Sequence, residues 1–416
     1  MALMDYKVDQ GWCNRCSNCK FIPSYRIKHS ETMYVCPSIT EYNFHAYSGS
    51  GKLMVGYSIN DGHSELSEST RDVVYRCTLC GACDYTCKVF RKDIDVAENI
   101  EELRKECVNH GLVYPEHQAI IDSISENGNQ LCKDPAAKID WAKGLKIKKV
   151  ADGDQGEIYL YAGDTNNFTS GLAKRTKNVA SLLLKKGIDL ITSGVEEPTA
   201  ADKAFDLGFV EAGADAARKL AEEIKKSGAK TVVTMDAHAF TAFRYYYPRY
   251  GVDLGVEVLH ITQLLERMYL DGMFTVAAAE EPVKVTYHDP CNLGRRSEPF
   301  TCEYEGDKRR RPMELTRTGD LGVYQAPRTL IEAIGNVELV EMDRIKGWAW
   351  CCGNGAGVAE IAPKLLKDTA ANRVTEAQLT GADQMVTACP LCEQALNQAG
   401  GMKTVDVLDL VLQYFA

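Results

Sequence analysis

No stretch of the chain comes near the roughly 18 consecutive apolar residues that a membrane-spanning helix needs, so the sequence predicts no membrane span. The first residues, Met1 to Lys7, lack the apolar core of a signal peptide, which predicts a cytoplasmic chain. Positive charge is in deficit: 48 Lys and Arg stand against 58 Asp and Glu, a net charge of −10. That balance argues against a phosphate backbone as the partner and predicts no nucleic-acid role. No glycine-rich phosphate loop follows the first expected strand, which argues against a flavin or nicotinamide held by this chain. What remains is ordinary for a globular protein, 45% hydrophobic and 25% charged, which excludes wholesale disorder. Its 416 residues suit roughly two or three domains.

Cysteine is the exception to this ordinariness. There are 16, too many to be a disulfide framework in a compartment that keeps thiols reduced. Their placement is uneven. Eight fall between positions 13 and 87, as Cys13, Cys16 and Cys19, then Cys36-Pro37, then Cys77, Cys80, Cys83 and Cys87. Five more lie in the last third: Cys291, the adjacent Cys351-Cys352, and the pair Cys389 and Cys392. Only Cys107, Cys132 and Cys302 stand apart.

The Cys77–Cys87 run has the spacing Cys-x2-Cys-x2-Cys-x3-Cys, which suits a [4Fe–4S] cubane. In two-cluster ferredoxins the fourth cysteine of each run serves the other cluster. This gives Cys13, Cys16, Cys19 and Cys87 for one cubane, and Cys77, Cys80, Cys83 and Cys36 for the second. The first run departs from the pattern, since Cys36 comes 17 positions after Cys19. Two zinc sites are the alternative, but zinc favours paired Cys-x2-Cys units, and triplets match a tetrahedral ion poorly.

Residues 1–150 are expected to be a helical cluster-binding domain, with a helix near Ala97–Cys107 and a linker over Lys143–Lys149. From Glu157 onward strands and helices alternate, which implies α/β layers on a mostly parallel sheet. Ile158–Tyr161 and Thr231–Thr234 are expected strands, with a helix through Ala217, Leu220, Ala221 and Ile224 ended by Gly228. The order recurs with Val283–Tyr287, Gln384–Thr387 and Val405–Leu408, the last echoing Val256–Leu259. This predicts two tandem halves, 157–270 and 281–416. Superposed, Cys291 falls opposite Asp164, Cys351-Cys352 opposite Thr199-Ala200, and Cys389 and Cys392 opposite Asp236 and Ala239. The second half alone keeps its thiols. They follow strand ends, where an open α/β sheet gathers its site, and Gly353–Gly357 lets the backbone come close. A redox disulfide between Cys389 and Cys392 is the alternative there, and it leaves three cysteines unexplained.

Two ferredoxin-like runs followed by Cys…Cys-Cys-Gly…Cys-x2-Cys resemble the CCG-domain iron–sulfur proteins of the heterodisulfide reductase D-subunit-like family. The chain is also similar to the D subunit of class II benzoyl-CoA reductase complexes. The resemblance implies a non-cubane [4Fe–4S] cluster on Cys291, Cys351, Cys352, Cys389 and Cys392, beside the two cubanes. It implies an all-α two-cluster domain followed by two α/β halves. It further implies an electron-transfer subunit whose partners, themselves flavin- and iron–sulfur-containing subunits, supply the substrate chemistry and any membrane attachment. Family members with two complete motifs cleave a heterodisulfide between two such clusters. The missing first motif therefore favours a relay, with disulfide cleavage at the single centre as the alternative. A zinc-stabilised scaffold without redox chemistry is a third reading.

Asp164, Asp236 and His238 are expected to be left in a solvated cleft where the first motif is lost, the alternative being a pocket there that binds a substrate or a partner. His288 either faces the cluster or satisfies a loop carbonyl. Tyr245–Tyr247 is expected to pack between helices. Glu298–Arg328, longer than its counterpart, carries Cys302 and Lys308–Arg311 in an expected exposed loop.

Overall fold

A computed structural model describes residues 2–89, 94–301 and 316–415. Up to Lys148 the described residues form helices and turns, without a strand. The principal helices are Pro37–Tyr42, Gly49–Asn60, Glu68–Tyr75, Ala82–Val89, Val96–Asn109 and Pro115–Asn127. Cys36 sits at the N-cap of Pro37–Tyr42, where proline in the first turn costs no hydrogen bond. The helix expected near Ala97–Cys107 extends to Val96–Asn109.

Two parallel sheets follow. The first contains β1 (Lys148–Lys149), β2 (Ile158–Tyr161), β3 (Leu190–Thr192), β4 (Thr231–Thr234) and β5 (Glu257–His260), in the order β1-β3-β2-β4-β5. The second contains β6 (Val283–His288), β7 (Val337–Leu339), β8 (Gln384–Thr387) and β9 (Thr404–Asp406), in the order β7-β6-β8-β9. Apart from the extra edge strand β1, the two orders are the same, and every pairing is parallel. The fold is thus α/β with an all-α part: a helical ferredoxin-like region followed by duplicated CCG-type halves.

Period-two alternation covers both faces of the first sheet. Leu160 and Val233 enter the large core shared by both halves, whereas Tyr159, Tyr161 and Val232 enter a second core behind. The shared core also takes Val285, Tyr287, Val386 and Leu410 from the second half, so the halves are packed into one body. A buried ion pair reinforces that junction, with Arg175 donating to Glu393 at 2.9 Å and to Asp409.

Two expectations need correction. Lys148–Lys149 is the edge strand pairing with Ile191 and Thr192 rather than part of a linker, because the extended chain leads directly onto the free edge of β3. Val407 and Leu408 open the helix Val407–Gln413 rather than continue a strand. Asp406 stops β9 by capping that helix, its carboxylate accepting from the Leu408 N–H at 2.9 Å.

The duplication fixes equivalent positions physically. Tyr161 pairs with Thr234 as His288 pairs with Thr387. Counting on from these ends places Cys291 at the position of Asp164, Cys389 at that of Asp236 and Cys392 at that of Ala239.

Candidate iron–sulfur site

The N-terminal cysteines separate into two groups. Cys36, Cys77, Cys80 and Cys83 line one narrow cavity of about 20 Å³, together with Gly49, Ala97 and Ile100. Burial pushes the Cys36 thiol up to about 12 and raises the Cys83 thiol as well. The other group gathers Cys13, Cys19 and Cys87, whose charges act on one another, with Cys16 acting on Cys13. Cys19 accepts from the Ser50 N–H at 3.4 Å. Cys16 alone of these is exposed. Cys36 thus sits with Cys77, Cys80 and Cys83 despite the long gap before it, and Cys87 with Cys13 and Cys19.

The five C-terminal cysteines converge as well. Cys291 follows β6, Cys389 sits at the N-cap position of the helix Pro390–Ala399 after β8, and Cys351-Cys352 open the loop after Lys346–Trp348. Their thiols form a chain of contacts, Cys291 to Cys351 to Cys352 to Cys392 to Cys389. The Cys392 Sγ lies 3.3 Å from the Cys352 Sγ. Cys351, Cys352, Cys389 and Cys392 are all buried, and Cys291 is half-buried. Such crowding polarises the thiols. Hydrogen bonding from Cys351 holds Cys352 well below the usual thiol range, whereas bonding to Cys352 raises Cys392. At Cys389 burial pushes upward, but bonds from Cys392 and His238 prevail and bring it down to about 6. Thiols sharing protons in this way are already partly prepared for the deprotonation that metal binding requires.

Contact between the two regions is direct. Cys80, from the N-terminal set, packs with Cys351 in one buried cluster, and its interaction with the Cys351 thiol is the largest cause of its lowered pKa. The loops are packed backbone to backbone: a Cβ at Gly355 would lie 2.8 Å from the Thr78 carbonyl oxygen. Gly353 donates its N–H to the Cys351 Sγ at 3.3 Å.

His288 faces the thiols, its ring grouped with Cys352 and Cys392 within 4.8 Å. Its Nδ1 accepts from the Arg373 Nε at 3.0 Å, so it satisfies no loop carbonyl. His238 reaches across from the first half to Cys389 and hydrogen-bonds Asn292 at 3.0 Å.

The lost motif of the first half does not form a solvated cleft. Asp164, Asp236 and His238 are 3%, 3% and 6% exposed. Asp164 accepts from the Gln130 N–H at 3.0 Å and the Thr199 hydroxyl at 2.7 Å, and Asp236 caps the helix Ala237–Thr241. Polar bonding closes the space that thiols occupy in the other half. Tyr245, Tyr246 and Tyr247 are buried as expected, and a π-helical turn over Ala242–Tyr246 directs the Tyr245 and Tyr246 hydroxyls to Glu101 at 3.0 Å. Cys302 and Lys308–Arg311 lie outside the described residues.

Sequence reasoning missed the charged and polar residues that hold these loops. Arg104, His117, Arg295 and Arg296 are all buried. The signal for the last two was available, as Arg295-Arg296 follows Cys291 closely in an acidic chain. His117 donates from Nε2 to the Gly357 carbonyl at 2.8 Å, tying Pro115–Asn127 to the loop that carries Cys351-Cys352. Gly357 has φ +75°, and a Cβ there would lie 2.5 Å from Leu207 and 2.6 Å from the His117 ring. Gly357→Ala is expected to cost about 2–3 kcal/mol, seen as a lower thermal midpoint and faster loss of iron.

Burial also sets a pH dependence. It lowers His117 to about 4 and His260 to about 3. The unfolded chain takes up these protons near the ordinary histidine value, about 6.5, while the folded chain does not. Stability is therefore complete above that pH and falls as the pH drops toward 4, by up to about 3 kcal/mol for His117. Thermal midpoints between pH 7.5 and 5.5 should fall in the native chain and fall less in His117→Gln.

The residues fit iron–sulfur ligation: thiol groups converge, glycines open the backbone to them, and the spacing of the triplets is unsuited to zinc. Comparison with known proteins agrees. A family described as "4Fe-4S dicluster domain" matches residues 10–90, and one described as "Cysteine-rich domain" (CCG) matches residues 285–397. The chain is an iron–sulfur protein of the dicluster and cysteine-rich class. The D subunit of dihydromethanophenazine:CoB–CoM heterodisulfide reductase from Methanosarcina barkeri is 30% identical, with 96% of this chain and 93% of that protein covered. The Methanosarcina acetivorans protein of the same name is also 30% identical, at the same coverage. The chain belongs to the family of heterodisulfide reductase D subunits, as an electron-transfer oxidoreductase component. A probable iron–sulfur-binding oxidoreductase of Bacillus subtilis is 25% identical over 88% of this chain and 50% of its own length. A hypothetical protein from Helicobacter pylori, 8% identical, shares the fold with a TM-score of 0.53, covering 88% of this chain and 67% of its own. Among the described residues no helix is long and apolar enough to cross a membrane.

Proposed function

We propose that the chain relays electrons within a heterodisulfide reductase-like complex, between an exposed N-terminal face and a buried C-terminal centre. In this reading residues 1–150 hold two cubane [4Fe–4S] clusters, one on Cys13, Cys16, Cys19 and Cys87, the other on Cys36, Cys77, Cys80 and Cys83. Residues 281–416 hold a non-cubane [4Fe–4S] cluster on Cys291, Cys351, Cys352, Cys389 and Cys392, and 157–270 is the half without thiol ligands. The clusters supply one-electron storage and exchange when bound.

The observation that carries the relay is the packing of Cys80 against Cys351 in one buried cluster, which joins a member of each set. Around it the protein excludes water, since Cys80, Cys351, Cys352, Cys389 and Cys392 are all buried. At the other end Cys16 and Arg15 are exposed, and the charges of Arg15 and Lys20 both act on His45. Neither cation forms an ion pair among the described residues, so this face suits an acidic electron carrier or partner protein.

The second reading, reduction of a disulfide at the C-terminal centre, is favoured by the name of the Methanosarcina relatives. Turnover of a heterodisulfide by the isolated, fully metallated chain with a reduced dye as donor separates the two. No turnover is expected for the relay, and steady turnover would replace it with the reductase.

A further inference from the structure

Arg295 is a buried cation without an acidic partner among the described residues. It is 6% exposed, and its Nε donates to the Cys80 carbonyl while Nη1 donates to the Gly347 and Ala349 carbonyls at 3.1 and 2.7 Å. Its Nη2 is buried and has no hydrogen-bond partner. The groups that face it are the Cys80, Cys291 and Cys351 thiols and the Tyr324 hydroxyl. The adjacent Arg296, by contrast, pairs with Asp206 at 3.1 Å and Glu101 at 2.9 Å. A guanidinium taken out of water without a counter-charge is costly, so the fold keeps Arg295 for an anion that the polypeptide alone does not provide. Thiolate-bound iron–sulfur centres on either side are such anions, and their potentials depend on net charge and hydrogen bonding.

Building on the iron–sulfur reading above, we infer that Arg295 is the shared counter-charge of the Cys36/Cys77/Cys80/Cys83 cluster and the five-cysteine centre. It is a positioning residue that raises both reduction potentials together. A fixed positive charge favours the reduced, more negative state of each neighbour. Because the same side chain holds the Cys80, Gly347 and Ala349 carbonyls, it also keeps the two loops in register. The cluster at Cys13, Cys16, Cys19 and Cys87 lies outside its contacts.

The test is an EPR-monitored redox titration of the anaerobically purified full chain, comparing Arg295→Gln and Arg295→Lys with the native protein. Two midpoint potentials are expected to shift negative in Arg295→Gln and to return most of the way in Arg295→Lys, with the third unmoved. Unchanged potentials in Arg295→Gln overturn the proposal. Equal shifts in Gln and Lys also overturn it, because the effect is then one of packing rather than charge. Arg295→Met provides a second neutral variant should Gln fail to retain its clusters, with the same expected shift. Absence of the C-terminal signal from the native protein itself overturns the iron–sulfur reading, a result distinct from any pattern among the variants.

Discussion

Replacing Cys352 by serine should remove about a third of the iron from the chain and abolish the C-terminal paramagnetic signal while sparing both N-terminal clusters. Cys352 has a central place in its group, since it contacts Cys351, Cys392 and His288. No member of the Cys13 or Cys36 groups touches it among the contacts that shift their thiols. With four irons per cluster, the expected fall is from about twelve to about eight per chain. Serine is close in volume and leaves the core around Val386 and Leu396 filled, so folding should persist. Iron and acid-labile sulfide analysis with EPR checks the outcome. Loss of all iron would mean that the three sets are one folding unit, and unchanged iron would remove Cys352 from the ligands.

The largest structural effect is expected at Arg104. Its guanidinium is wholly buried and donates to five carbonyls: Val74, Tyr75, Cys77, Asp206 and Ala356. These belong to the end of the helix Glu68–Tyr75 and the loop just beyond it, the first α/β half, and the Gly353–Gly357 loop. The cation also lies 4.8 Å from the centre of the Tyr75 ring. Arg104→Met keeps much of the side-chain volume but leaves these buried acceptors without their donor. Each such loss costs about 1–3 kcal/mol when water cannot replace the bond. A net destabilisation of about 3–5 kcal/mol is therefore expected. It should appear in thermal unfolding, together with loss of the clusters nearest Cys77 and Cys351. A midpoint within about a degree of the native chain would show that water fills the site.

The fold was legible where chemistry repeats. Thr231–Thr234 and Gln384–Thr387 are strands at the limits expected from their apolar runs, and the two sheets share the strand order that the internal repeat implied. Lys148–Lys149 was not legible, because an edge strand of two lysines carries no alternation to distinguish it from a linker. The Asp406 boundary was hidden for a similar reason, since the apolar residues after it suit a strand or a helix equally. At the site, cysteine spacing identified the groups that the fold brings together. It could not show that Asp164 and Asp236 would be satisfied internally, as burial depends on Gln130 and Thr199 arriving from elsewhere. Arg104 and Arg295 escaped notice because their roles consist of backbone carbonyls gathered from distant segments, which no local pattern records.

The most direct test of the relay is the iron and acid-labile sulfide content of the anaerobically purified native chain, with EPR of its oxidised and reduced forms. The account predicts about twelve irons, two cubane signals on reduction and a separate signal from the C-terminal centre on oxidation. About eight irons without that oxidised signal, or zinc in place of iron, would contradict it.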